Sequence, residues 1–186
     1  FKVAQEQSDT GYASVAQTLG PVVANLEAAQ KSGTFTTGVR TGISKLDSML
    51  LGLQPGNLYV LAARPSMGKS ALALNIATHV TKQGIGTSLF SLEMGRELLV
   101  QRMLSTEANV NSHRMQAGSL IPPEWGRVSY AAGVLSELPL YIDDTPALTC
   151  SALASRARLM ATQHDVGFIV VDYLQLIRGS IRSQGR

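Results

Sequence analysis

The sequence has little cysteine and histidine and no long apolar run, and each shortage excludes a class of structure. Its 186 residues contain one cysteine, Cys150, so an internal disulfide framework is excluded. The three histidines are far apart and have no companion ligands, which argues against a structural metal site. No apolar run approaches the roughly 20 residues that a membrane span requires, and no signal peptide is recognisable. We therefore expect a cytoplasmic protein with no membrane partner.

The composition is that of a globular domain with a substantial core. Hydrophobic residues make up 45% of the chain and charged residues 16%, which is typical of folded rather than disordered proteins. The net charge of +3 permits a polyanionic partner without requiring one. The chain begins at Phe1 and not at a methionine, so we interpret it as a segment of a longer protein.

Residues 57–80 predict a strand, a tight loop and a helix in succession. Residues 58–62 form a short apolar run, as expected for a parallel strand that is buried on both faces. Beyond the loop, Leu72, Ile76 and Val80 recur every fourth residue and would share one helical face. The loop between them therefore leads from a sheet to a helix N-terminus.

This loop ends in Gly-Lys-Ser, the pattern of a phosphate-binding loop. Free backbone N–H groups at the helix N-terminus would cradle phosphate oxygens, Lys69 would reach the β- and γ-phosphates, and the Ser70 hydroxyl would coordinate Mg²⁺. The pattern usually begins with glycine, whereas this loop begins with Ala63. We predict that a nucleotide and Mg²⁺ bind here. The predicted nucleotide-binding residues are Ala63, Arg64, Pro65, Ser66, Met67, Gly68, Lys69 and Ser70.

Further strands alternate with helices along the rest of the chain. Apolar runs at residues 87–91, 138–142 and 167–171 predict strands, and the segments between them have helical character. This alternation predicts βαβ units, right-handed crossovers and a mainly parallel sheet, so the fold class is α/β. Before the loop, residues 41–56 predict a short helix with one apolar side, formed by Ile43, Leu46 and Leu50.

A separate helix is predicted near the amino terminus. Ser14 and Gln17 have the spacing of a capping box, and Pro21 would kink the helix or divide it in two. Residues 31–37 form a polar linker. The apolar positions recur in steps of four and three and make a narrow seam that consists of Val15, Leu19, Val22, Leu26 and Ala29. The seam could pack on its own domain or dock on a neighbouring subunit.

Acidic residues end three of the predicted strands. Ligands of an open parallel sheet bind at the carboxyl ends of its strands, so Asp172 is a candidate for holding nucleotide-bound Mg²⁺. Glu93 could orient or deprotonate an attacking water. Asp143 and Asp144 end the third strand. The alternative for each acid is a helix cap or first-turn residue, which the helix dipole favours on its own, and we favour that alternative for the Asp143–Asp144 pair.

These motifs together resemble one family. The segments ARPSMGKS, FSLEM, YIDDTP and VVDYLQLIR, at residues 63–70, 90–94, 141–146 and 170–178, closely resemble the ATPase domain of the DnaB-type hexameric replicative DNA helicases. That family also tolerates alanine at the first loop position, so the resemblance accounts for Ala63. It implies a RecA-like fold, a ring-shaped homo-hexamer and ATP-driven translocation on single-stranded DNA, with primase and a helicase loader as partners of the full-length protein.

The resemblance also implies roles for individual residues. Lys69 and Ser70 would be the phosphate and Mg²⁺ residues, Glu93 the catalytic glutamate and Asp172 the acid on the Mg²⁺ side. The amino-terminal helix looks like the linker helix that docks on an adjacent subunit in this family. We expect residues 1–37 to be a flexible lead-in, this helix and a linker, and residues 38–186 to be part of a RecA-like ATPase domain.

The sequence departs from the family pattern by ending at Arg186. The downstream strand that senses the γ-phosphate and the arginine finger of the family lie beyond this point, so the isolated fragment is expected to hydrolyse ATP weakly. Arg178, Arg182 and Arg186 could neutralise DNA phosphates, or form a solvated end. Two other functions stay open: a RecA-like recombinase, and an ATP-binding assembly switch without catalysis.

Overall fold

The computed structural model describes residues 13–32, 38–64 and 66–177. Its helices in chain order are α1 Val15–Ser32, α2 Ser44–Leu50, α3 Lys69–Lys82, α4 Arg96–Glu107, α5 Ser112–Gln116, α6 Pro122–Ser136 and α7 Cys150–His164. Its strands are β1 Gly86–Ser91, β2 Leu140–Asp143 and β3 Val166–Asp172, and a single 3-10 turn follows at Leu174–Leu176. None of the helices in the described ranges is long and apolar enough to cross a membrane.

Several predicted segments lie outside the described residues. They are the amino-terminal lead-in at residues 1–11, most of the predicted linker at residues 33–37, Pro65 of the phosphate-binding loop, and the three arginines Arg178, Arg182 and Arg186.

Within the described residues the sheet has three parallel strands in the order β2-β1-β3. The central strand β1 is buried at all six positions, and its Leu89 is in register with Ile142 of β2 and Val170 of β3. Each pair of strands is joined through at least one helix, as parallel pairing requires. The predicted α/β fold with a mainly parallel sheet is therefore present.

The core lies on both faces of this sheet because successive residues of a strand point in opposite directions. On one face Leu89 packs with Leu74 of α3 and with Leu99 and Met103 of α4. On the other face the fully buried Phe90 packs near α7; its cluster includes Leu92, Leu148 and Ala157. A smaller cluster of Ala108, Val110 and Ala131 joins α4 to α6. Helices packed on both faces therefore flank the sheet, and the acidic residues lie at its carboxyl edge.

The prediction of a buried strand at residues 58–62 is not met. The segment forms no strand, and the side chains of Leu58 and Val60 are 86% and 69% exposed. A parallel strand needs a neighbour to satisfy its backbone groups, and none of the strands in the described ranges pairs with this segment. An apolar run indicates a tendency to be buried, but burial depends on a partner that sequence patterning does not supply.

The buried faces of two helices also differ from the prediction. In α3 the buried positions are Leu74, Ala77, Val80 and Thr81. Of the predicted row, Val80 is buried, whereas Leu72 and Ile76 are half-buried. In α2 the only buried residue is Asp47, while Ile43 is exposed. The Asp47 carboxylate accepts hydrogen bonds from the backbone N–H and the hydroxyl of Thr41, both at 2.7 Å. Burial raises the pKa of Asp47, but the bonds from Thr41 and Gly42 outweigh it and lower the pKa overall.

The amino-terminal helix is one continuous element. The Gln17 side chain accepts a hydrogen bond from the Ser14 N–H at 2.8 Å, and the Ser14 hydroxyl accepts one from the Gln17 N–H at 3.2 Å, which confirms the capping box. The helix runs through Pro21 without a break. Val15, Leu19, Val22 and Leu26 are all exposed, and the side chain of Ala29 is outside the description. The seam therefore does not pack on the described part of its own chain.

Replacing Phe90 with alanine should destabilise the protein strongly. Its side chain is fully buried, and loss of a buried phenylalanine costs about 3–5 kcal/mol of unfolding free energy. The matched control is Leu159→Ala in α7, because Leu159 is 53% exposed and should cost less than about 1 kcal/mol. Urea unfolding measures both; equal losses would contradict the packing described above.

Candidate nucleotide-binding and hydrolysis site

The phosphate-binding loop ends at the N-terminus of α3. Gly68 is the N-cap residue with φ +83°, a left-handed conformation that glycine adopts without strain. Lys69 and Ser70 are the first two residues of the helix, as the sequence predicts. The first amides of a helix have no carbonyl partner within it, so the backbone here offers donors and a positive dipole end to an anion.

Lys69 is held by the acid at the end of β3. Its ammonium Nζ lies 2.7 Å from Oδ1 of Asp172, although the two residues are far apart in the sequence. The Asp172 side chain is almost completely buried, whereas that of Lys69 is about one quarter exposed at 26%. The structure therefore brings together the predicted phosphate residue and the predicted Mg²⁺-side acid.

The sequence reasoning missed Tyr173 at this site. The Lys69 ammonium lies 4.2 Å from the centre of the Tyr173 ring, within the distance for a cation–π interaction. The Lys69 ammonium is thus in contact with both Asp172 and Tyr173. The available signal was an aromatic residue directly after the acid that ends an apolar strand.

Glu93 lies at the same edge of the sheet. Ser91, the last residue of β1, is in register with Asp172, and the Leu92 N–H donates to the Asp172 carbonyl at 2.8 Å. Glu93 follows in a turn that Ser91 closes: its hydroxyl accepts from the Met94 N–H at 3.2 Å and donates to the Met94 carbonyl at 2.7 Å. Glu93 itself is exposed, so its carboxylate can reach a solvent molecule.

The two acids at the end of β2 are engaged in ion pairs. Asp143 Oδ2 lies 2.7 Å from Nη1 of Arg156 in α7, and Asp143 also accepts from the Thr145 N–H at 3.0 Å. Asp144 pairs with Arg96 of α4 at 2.5 Å. Burial raises the pKa of Asp143, but its hydrogen bonds from Thr145 and Arg156 lower the pKa overall. The hydrogen bond from Arg96 lowers the pKa of Asp144 to about 2. Neither acid is a cap or first-turn residue of the helix that follows, because α7 begins at Cys150 and its N-cap is Thr149. That prediction is wrong: both acids form ion pairs, and Asp144 accepts from the first backbone N–H of a different helix, α4.

The side chains present fit a magnesium-bound nucleoside triphosphate. Mg²⁺ in such sites takes one or two protein oxygens and completes its shell with phosphate and water. Ser70 in the first turn of α3 and the carboxylate of Asp172 supply oxygens of this kind, and the ion pair puts Asp172 beside the loop. Lys69 and the α3 amides supply the positive charge that phosphate requires.

The sequence comparisons agree with this geometry. The family described as DnaB-like helicase C terminal domain matches residues 38–186. The chain belongs to this family. It is 41% identical over 185 residues to the replicative DNA helicase DnaC of Bacillus subtilis (strain 168), and 40% identical over 185 residues to the replicative DNA helicase DnaB of Geobacillus stearothermophilus. Both alignments include 99% of this chain but 41% of each relative, so it spans about two fifths of their length.

Solved structures of similar proteins share the fold. One of them, described as an ATPase domain, superimposes with a TM-score of 0.84 at 28% identity, covering 94% of this chain and 62% of that one. A DnaB-like replicative helicase, described with its interactions with primase, has a TM-score of 0.81 at 29% identity, covering 96% of this chain and 43% of that one. The resemblance inferred from the motifs and the RecA-like α/β fold are thereby confirmed.

Replacing Asp143 with asparagine should remove a stabilisation that depends on pH. The folded-state pKa of Asp143 lies below its ordinary value of 3.8, so its stabilisation is present above that value and is lost as the pH falls through the folded-state pKa. We expect Asp143→Asn to cost about 1–3 kcal/mol at neutral pH. Urea unfolding of both proteins at decreasing pH should show this difference shrinking below 3.8. A difference that stays constant down to the acid limit of folding would contradict the assignment.

Proposed function

We propose that this chain is the ATP-hydrolysing part of a replicative DNA helicase, in which hydrolysis drives translocation on single-stranded DNA and duplex unwinding. The observation that carries the proposal is the convergence of Lys69, Asp172 and Glu93 at one sheet edge of a DnaB-like domain. Each of the three comes from a different element, and together they contain the charges that phosphoryl transfer to water needs.

The proposed mechanism assigns one task to each side chain. The Lys69 ammonium exchanges its contact with Asp172 for the β- and γ-phosphate oxygens, where it offsets the charge of the transition state. Asp172 and the Ser70 hydroxyl hold Mg²⁺, which neutralises phosphate charge when it is bound. Glu93 orients a water and accepts its proton as the water oxygen bonds to the γ-phosphorus and the bond to ADP breaks. Tyr173 contributes a cation–π contact to the Lys69 ammonium.

The partners of the full-length protein follow from surface features and from relatives. The exposed α1 seam supports docking on a neighbouring copy, and the family resemblance implies that the assembly is a homo-hexamer. The structural relative described with primase supports primase as a partner, with a helicase loader as a second one by family resemblance. Contacts of Arg178, Arg182 and Arg186 with DNA phosphates stay predictions.

Two other functions are less well supported. A RecA-like recombinase would share the fold and form open filaments, but the family that matches is DnaB-like. An ATP-binding switch without catalysis would not need a carboxylate at the position of Glu93, which is exposed two residues after Ser91, the residue in register with Asp172.

The full-length protein should hydrolyse ATP faster in the presence of single-stranded DNA. Lys69→Ala should remove nucleotide binding and turnover, because the loop would lose its phosphate-directed cation. Glu93→Gln should bind nucleotide normally and lose about 10²- to 10⁴-fold in kcat, the usual contribution of a general base. Phosphate release measures turnover, and a fluorescent ATP analogue measures binding.

The matched control for this experiment is Lys45→Ala, which removes an exposed lysine of α2 and should leave turnover unchanged. Turnover that is neither stimulated by DNA nor reduced by Lys69→Ala would contradict the helicase proposal. Full turnover in Glu93→Gln, with normal binding, would favour the switch instead.

Polar substitutions in the α1 seam should disrupt the hexamer without unfolding the domain. Leu19 and Leu26 are 54% and 65% exposed, so Leu19→Ser with Leu26→Ser removes contacts to another copy and leaves the core intact. Light scattering of the full-length protein should show a shift from hexamer to smaller species. Gln30→Ser, an exposed position of α1 outside the seam, is the control. An unchanged hexamer in the double variant would exclude the seam as the interface.

A further inference from the structure

The turn that carries Glu93 is attached to the neighbouring strand β2 through Asp144. Oδ2 of Asp144 accepts a hydrogen bond from the Arg96 backbone N–H at 2.9 Å. Oδ1 accepts from Nε of the Arg96 side chain at 2.8 Å, and Nη2 of the same guanidinium lies 2.5 Å away. One carboxylate thus binds both the main chain and the side chain of a residue only three positions beyond Glu93.

This attachment replaces a local cap that the sequence cannot form. The N-cap residue of α4 is Gly95, which has no side chain with which to bond the first amides of the helix. The carboxylate of Asp144, the residue directly after β2, takes that task instead, and it carries the negative charge that a helix N-terminus favours. A Cβ at Gly95 would lie 3.9 Å from Oδ2 of Asp144, which is an ordinary van der Waals distance, so the carboxylate lies next to the N-cap.

The two ends of the Glu93 turn are therefore held differently. At the β1 end, the Ser91 hydroxyl is hydrogen-bonded to Met94, and Ser91 itself is paired with Asp172 in the sheet. At the α4 end, the bonds that cross to another element run to Asp144. Glu93 lies between these two attachments, and its own side chain is exposed.

The ion pair with Asp144 also determines the position of the Arg96 guanidinium. Arg96 is the cationic residue nearest to Glu93 in the sequence, three positions further on at the start of α4. With Asp144 ionised and holding the guanidinium in a two-atom contact, this competing partner is occupied. The Glu93 carboxylate then stays available to a water.

We propose that Asp144 is a positioning residue for Glu93, which fixes the turn and keeps Arg96 away from the Glu93 carboxylate. The inference rests on the proposed role of Glu93 in hydrolysis. It gives the two acids of YIDDTP separate tasks, since Asp143 holds Arg156 on α7 and Asp144 holds the turn before α4.

The test is DNA-stimulated ATP hydrolysis by the assembled full-length protein. Asp144→Ala should lower kcat by about 10- to 100-fold, the effect of misplacing a reacting group by about 1 Å, while the Kd for a fluorescent ATP analogue changes less than about twofold. Arg96→Ala should also lower kcat, but by less, because it removes the guanidinium that could otherwise pair with Glu93. Asp144→Asn keeps an oxygen for the Arg96 N–H but loses the charge, so it should lie between the parent protein and Asp144→Ala.

The decisive comparison is made in the Glu93→Gln background. If Asp144 acts through Glu93, adding Asp144→Ala to Glu93→Gln should cause no further loss of kcat, because groups that act as one unit are not additive. Arg156→Ala is the matched control: it breaks the adjacent acid–arginine pair on the other side of β2 and should leave kcat close to that of the parent protein.

The outcomes separate this inference from the proposed function. If Glu93→Gln loses turnover but Asp144→Ala does not, the positioning role is wrong and the role of Glu93 stands. The positioning role is also wrong if Asp144→Ala lowers kcat equally in both backgrounds, or if it weakens nucleotide binding as much as it lowers kcat. Full turnover in Glu93→Gln would overturn both. A melting temperature for each variant shows whether a loss of kcat arises from unfolding, and Asp144→Asn decides the question if Asp144→Ala does not fold.

Discussion

The parallel pairing of β1 with β3 is the constraint on which the site depends. Ser91 is opposite Asp172 in the register, and the Leu92 N–H donates to the Asp172 carbonyl. The Asp172 carboxylate and the turn that carries Glu93 therefore lie at the same edge of the sheet. A shift of one residue would turn every side chain of a strand to the opposite face. Burial of all six positions of β1 makes such a shift costly, because core side chains would move toward the helices of the wrong layer.

Three acid–cation pairs connect this sheet edge to three different helices. Asp172 binds Lys69 of α3, Asp144 binds Arg96 of α4, and Asp143 binds Arg156 of α7. The carboxylates are largely buried and the cations more exposed, so removing a cation would leave a charge that is poorly solvated. In the proposed mechanism the pairs differ in function, because phosphate replaces Asp172 as the partner of Lys69, whereas the arginines stay paired with their acids. Acid–cation pairs thus occur both in the candidate site and in the contacts that attach the neighbouring helices to the sheet.

Much of the fold was predictable from local patterns. The three strands of the sheet, the helices that separate them and the capping box at Ser14 and Gln17 were all inferred from residue types that act over a few positions. The outcome at residues 58–62 was not predictable in this way. An apolar run states a preference for burial, but whether Leu58 is covered depends on a neighbouring strand, and pairing between distant segments has no local signature.

For the site, the sequence alone was enough to identify the kinds of group involved: a lysine and a serine at a helix start, and acids at the ends of strands. These follow from short motifs because backbone amides, a cation and a hydroxyl must be adjacent to bind phosphate. The tertiary structure added the partners of those groups, namely the contact of Lys69 with Tyr173, and the separate attachments of Asp143 and Asp144 to α7 and α4. Asp144 and Arg96 are far apart along the chain, and only the parallel order of the strands brings that carboxylate to the start of α4.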